Sequence, residues 1–64
     1  MNTNKLRGLM AEKKVTGRDM AKRLGISEKT FYSKMKRGVF GTDEAIKMIE
    51  VLNIENPAAI FFGA

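Results

Sequence analysis

The 64-residue chain contains no cysteine and no histidine. Without cysteine there is no disulfide framework and no thiolate nucleophile. Zinc sites are built mainly from Cys and His, so a structural zinc is effectively excluded. Histidine triads and histidine general bases are excluded with it. A cysteine-free small chain fits a reducing compartment. Proline occurs once, at Pro57, so no earlier segment is broken by proline. The longest apolar run, Ala58-Ala59-Ile60-Phe61-Phe62, is far short of the ~20 residues of a membrane-spanning helix. Arg7, Glu12, Lys13 and Lys14 interrupt any apolar signal core near the N-terminus, which points to the cytoplasm. No repeat, low-complexity stretch or linker is visible, and residues 1–64 read as a single domain.

What is present is globular in kind, since 44% of residues are hydrophobic and a disordered chain would lack them. The charge is uneven. The net charge is +5, yet residues 1–37 carry eleven of the twelve basic residues and a balance of +8. Residues 38–64 carry a balance of −3. A basic front and an acidic back create a field that steers the front toward polyanions. A solvated surface on a small basic protein would give the same totals.

Helical spacing and capping residues divide the chain into four helices, with a fifth short turn at the end. Leu6, Leu9 and Met10 share one helix face. Thr3 or Asn4 is placed to cap that helix, which is expected to run to about Lys14, with Val15 closing toward the core. Thr16 and Asp19 have capping-box spacing at the start of the second helix. Met20, Ala21 and Leu24 form its apolar face, and Gly25 stops it. Ser27 caps the third helix, with Glu28 in its first turn. Phe31 and Met35 mark its inward face, and Arg37 and Gly38 end it. Val39-Phe40-Gly41 is expected to fold back on the core. The fourth helix begins at Thr42, with Ala45, Ile46, Ile49 and Leu52 as its apolar stripe and Asn53 as its end. Asn56-Pro57 opens the last turn. No run alternates as a strand does, so the expected class is all-α.

Two short helices joined by a turn with glycine form a helix-turn-helix pattern. Over residues 16–37 the spacing is specific. Ala21 is small enough for close helix approach, Gly25 supplies the turn, Ile26 plugs the corner, and Phe31 anchors the third helix. The segment Thr-Gly-Arg-Asp-Met-Ala-Lys-Arg-Leu-Gly-Ile-Ser-Glu-Lys-Thr-Phe-Tyr, residues 16–32, resembles the helix-turn-helix of phage Cro and repressor proteins, the XRE-type family. The resemblance extends over nearly all of residues 4–62. It implies a compact four- to five-helix, lambda-repressor-like domain. The size is similar to that of a whole Cro-like regulator, or of a repressor's DNA-binding domain alone. Two positions depart from the family. Gly17 stands where many members carry a phosphate-touching Gln, and Lys34 stands where many carry an aliphatic residue.

The resemblance implies a sequence-specific regulator that occupies operator DNA, of phage or prophage origin and acting in a bacterial cytoplasm. Blocking polymerase is the simplest mechanism. The third helix would enter the major groove, with base-reading candidates Ser27, Glu28, Lys29, Tyr32 and Ser33. Lys29 suits guanine O6/N7 and Glu28 suits cytosine N4. Glu28 equally suits compensation of the helix dipole. Tyr32 suits a thymine methyl, a phosphate, or a ring packed on the neighbouring loop. Phosphate candidates are Thr16, Arg18, Lys22, Thr30, Lys36 and Arg37. Lys5, Arg7, Lys13 and Lys14 stand apart and fit decoration of a surface away from DNA.

One such unit has few base contacts, so a two-fold homodimer on a palindromic operator is expected. The interface candidates are Ile54, Ala58, Ile60, Phe61 and Phe62. Two adjacent phenylalanines do not both enter one small core from one face, so one is a candidate for an exposed apolar patch. Both would otherwise close the core from an irregular end. The partner is thus double-stranded DNA, with no cofactor, metal, membrane or small-molecule substrate expected. A protein-interaction module of the same fold, binding a repressor or a toxin in the manner of an antirepressor or antitoxin, is the alternative, and the basic third helix favours DNA. Basic amphipathic helices on a membrane surface are disfavoured by the capped tight turns and the acidic back. With no Gly-rich phosphate loop and no paired carboxylates in a cleft, an enzyme is not expected.

Overall fold

Asn2 starts the first helix by accepting the Lys5 N–H on its side-chain oxygen at 3.0 Å. The computed structural model describes residues 1–62, and its helices are α1 (Thr3–Glu12), α2 (Gly17–Leu24), α3 (Glu28–Arg37), α4 (Thr42–Leu52) and α5 (Pro57–Phe61). No strand occurs among the described residues. The expected cap of α1 thus moves from Thr3 or Asn4 to Asn2. The helix also ends earlier than expected, because Lys14 adopts a left-handed backbone at φ 57°. Its N–H then donates to Ala11 O at 3.1 Å and the Val15 N–H to Met10 O at 2.8 Å, which closes the helix end.

The caps of α2 and α3 form as their residues predict. Thr16 Oγ1 accepts the Asp19 N–H at 3.0 Å, and Asp19 Oδ2 accepts the Thr16 N–H at 3.2 Å. Gly25 takes the left-handed conformation at φ 74°, where a Cβ would be strained, and so ends α2. Ser27 Oγ accepts the Thr30 N–H at 3.1 Å at the start of α3. Gly41 has no side chain to cap α4, and Glu44 instead reaches back to accept the Gly41 N–H at 2.8 Å.

The core consists of Leu6, Met10, Met20, Ala21, Phe31, Met35, Met48, Leu52 and Ile60. No polar or charged residue is buried with them. Phe31 and Met35 turn α3 inward, and the small Ala21 lets α2 lie close against it. Phe40 folds back so that its ring centroid lies 5.6 Å from that of Phe31, while Val39 stays outside. The stripe of α4 differs from expectation by one position. Ala45, Met48, Ile49 and Leu52 follow the helical repeat toward the core, which leaves Ile46 off the stripe and half exposed. Ile60 was expected at an interface, but it is 1% exposed and belongs to the core. Its carbonyl accepts the Asn2 N–H at 2.7 Å, fastening α5 to the start of α1.

Candidate nucleic-acid interface

Because Phe31 and Met35 fix which side of α3 faces inward, the remaining positions fall on its solvent side. Ser27, Glu28, Lys29, Thr30, Ser33, Lys36 and Arg37 are all exposed there. Glu28 and Lys29 occupy the first turn of α3, where a groove-entering helix meets base edges. Neither forms an ion pair among the described residues. The Ser27 hydroxyl is engaged, since it caps the helix and donates to Thr30 Oγ1 at 2.8 Å. The Thr30 hydroxyl keeps its own proton to donate.

Tyr32 is half exposed, and its ring is held from two sides. It meets the Phe31 ring edge-on, with centroids 5.6 Å apart and planes at 74°. It also lies over the Gly17 backbone at the start of α2. A Cβ at Gly17 would overlap the Tyr32 hydroxyl oxygen and Cζ, and would stand 2.9 Å from Cε2. Glycine at position 17 therefore makes room for the tyrosine of α3. The ring packs on the first residue of α2 while its other half faces solvent.

Arg18 and Lys22 are exposed on α2 beside Thr16. The Thr16 Oγ1 accepts the capping bond from the Asp19 N–H. The two bonds to Thr16, with smaller help from Arg23 and Arg18, hold the Asp19 carboxyl below its ordinary range. Asp19 therefore stays ionised and balances part of the local positive charge.

Lys34 lies apart from the free cations. Its Nζ donates to both carboxylate oxygens of Glu44, at 2.8 and 2.7 Å, joining α3 to the first turn of α4. Those bonds and the Gly41 N–H hold the Glu44 carboxyl below its ordinary range, against a smaller opposing effect of desolvation. This link was not foreseen from the sequence. The available signal was Glu44 three residues past a glycine cap, with a lysine in place of an apolar residue on α3.

The dimer candidates separate onto two faces. Ile54 lines a shallow groove with Leu9, Lys13 and Asn56. Phe61 is half buried and Phe62 is 79% exposed, and both line a different, apolar groove with Met1, Val39, Phe40 and Ile46. Ala58 is exposed. Val39 and Ile46 were not singled out as exposed apolar residues from the sequence, because which side of α4 is buried depends on tertiary packing.

No described helix is long and apolar enough to cross a membrane. No curated protein and no solved structure matched the chain. The family model of the Cro/C1-type HTH DNA-binding domain matches residues 5–55, which include α1 from Lys5, the helix-turn-helix and all of α4. The all-α fold, the capped α2–turn–α3 unit and this match agree, and the chain belongs to the Cro/C1-type helix-turn-helix DNA-binding family of regulators.

Proposed function

We propose that this protein is a transcriptional repressor of phage or prophage origin that reads a palindromic operator as a homodimer. The observation that carries this reading is the distribution of free charge around α3. Lys29, Lys36 and Arg37 on α3 and Arg18 and Lys22 on α2 are exposed and have no acidic partner among the described residues. The one lysine of α3 that is paired, Lys34, is held by Glu44 of α4.

In this reading Lys29 donates to guanine and Glu28 accepts from cytosine, each good pair discriminating by about 1–3 kcal/mol. Ser33 and the exposed half of Tyr32 contact the next base pairs. Thr16, Arg18, Lys22, Thr30, Lys36 and Arg37 hold phosphates and set the register. Covering a promoter-proximal operator then keeps polymerase out.

The second copy is expected at the apolar groove that holds Val39, Ile46, Phe61 and Phe62. None of the side chains lining this groove is charged, which suits an apolar contact between two copies. A projecting Phe62 beside a groove suits a two-fold contact in which each copy supplies both. Ile54 and Ala58 lie outside this patch, and Ile60 is in the core.

The test is selection of random-sequence duplexes by the purified protein at two salt concentrations. Enrichment of a palindrome with half-sites about 34 Å apart supports the full reading. Salt-sensitive binding without enrichment overturns the sequence-specific role and favours a protein partner for α3. Enrichment of a lone half-site overturns the dimer.

A further inference from the structure

Arg7, Met10 and Ala11 lie three and four residues apart on α1, so its last turns present them on one side, and Lys14 follows in the α1–α2 turn. The fold places this stripe against the start of α2 and the middle of α3. An open cleft of about 700 Å³ results, lined by Arg7, Lys14, Thr16 and Tyr32, with Ala11 and Val15 as its accessible apolar floor. No acidic residue lines it. Neither Arg7 nor Lys14 has an ion-pair partner among the described residues.

Two features single out what this cleft receives. The first is continuity, since Thr16, Gly17 and Tyr32 belong to the helix-turn-helix and also line the cleft. A DNA strand lying on the α2–α3 surface runs on toward Arg7 and Lys14. The second is charge and polarity together. Cations above an apolar floor match the alternating phosphates and sugars of a nucleic-acid backbone.

Lys14 adds an independent observation. Its φ of 57° is a conformation that a residue with a Cβ rarely adopts. Glycine fits that conformation better. A lysine held there instead places a cation at the cleft.

We propose that DNA contact extends beyond the helix-turn-helix onto α1 and the α1–α2 turn, with one backbone phosphate held by Arg7, another by Lys14, and a sugar against the apolar floor. The proposal rests on the DNA-binding reading above. It assigns Arg7 and Lys14 to affinity and register, with no part in base choice. It also makes the left-handed lysine a place where stability and binding oppose each other.

The experiment compares wild type with Arg7→Gln, Lys14→Gln, Lys14→Gly and Arg18→Ala, titrating a labelled selected duplex and a random duplex over a salt series. Arg7→Gln and Lys14→Gln are each expected to weaken both duplexes about eightfold near 0.1 M salt, and to lower the salt slope by about 0.9. Lys14→Gly is expected to weaken binding equally while raising the melting midpoint by roughly 2–5 °C. A purely structural lysine would not give those opposite signs. Wild-type affinity in both Arg7→Gln and Lys14→Gly, with Arg18→Ala weakened, overturns the extended contact and leaves the DNA reading intact. Loss of preference between the duplexes overturns the phosphate assignment. Wild type that binds neither duplex overturns the DNA reading itself.

Discussion

The Tyr32 phenol occupies the space that a side chain at Gly17 would need. The first residue of α2 and the middle of α3 are thereby packed against each other on the exposed side of the helix-turn-helix. Gly17→Ala is expected to displace the ring and to lower stability by about 1–3 kcal/mol, as overpacking does. Tyr32→Ala in the same chain should restore part of that loss, because the obstacle is gone. Urea denaturation of the two single variants and the double variant measures the coupling. Additive losses would show that the two residues do not share the space.

Lys34 and Glu44 should matter most to the placement of α3 against α4. With the Lys34 side chain 32% exposed and that of Glu44 16% exposed, solvent screens part of the attraction. Lys34→Ala is expected to destabilise by about 1 kcal/mol. Glu44→Ala should cost more, since it also removes the acceptor of the Gly41 N–H at the start of α4. Thermal melts at neutral pH decide the order of the two.

The same carboxylate predicts an acid limb. Glu44 and Asp19 both titrate below their ordinary range in the folded chain. Between the unfolded and folded values the unfolded chain binds more protons, so stability rises with pH. Their contribution is present above about pH 4.5 and is lost as pH falls through the folded values. Glu44→Gln should flatten that loss in denaturation midpoints measured from pH 6 down to pH 2. An unchanged acid limb would mean that other carboxylates set it.

Base reading and phosphate holding separate in binding data. Lys29→Ala should lose about 1–3 kcal/mol on a selected duplex and little on random sequence. Arg18→Ala should weaken both alike and reduce the salt slope by about 0.9. Parallel losses in the two variants would overturn this division of roles.

The groove beside Phe62 predicts a surface whose loss leaves folding alone. Phe62→Ser and Ile46→Glu alter exposed side chains, so melting of the monomer should shift little. Sedimentation and binding to a two-half-site duplex should both shift toward one copy per half-site. Wild-type behaviour in both variants would place the second copy elsewhere.

Much of this fold was legible because helix capping is local. Thr16, Gly25, Ser27 and Asn53 each end or begin a helix within a few residues of the groups they satisfy, and all four do so in the structure. The solvent side of α3 was legible for a related reason, since fixing Phe31 and Met35 inward fixes the rest. Most of the failures depend on distant neighbours. The buried side of α4 follows from where the rest of the core lies, which exchanged Ile46 for Met48. The Lys34–Glu44 bridge joins residues ten apart across a loop. Ile60 enters the core because α5 docks on α1, a contact that no local pattern encodes. Lys14 hid its left-handed backbone behind a residue type that continues helices well.

Four of the nine core side chains are thioethers, at Met10, Met20, Met35 and Met48. While the chain is folded, none of them is more than 6% exposed to an oxidant. When it opens, any one that becomes a sulfoxide returns as a polar group to an interior that has no polar side chain to receive it. Refolding is then penalised, and that molecule leaves the pool able to occupy DNA. Under oxidising conditions the core would keep a record of how often each molecule has opened, and occupancy would decline with the number of openings.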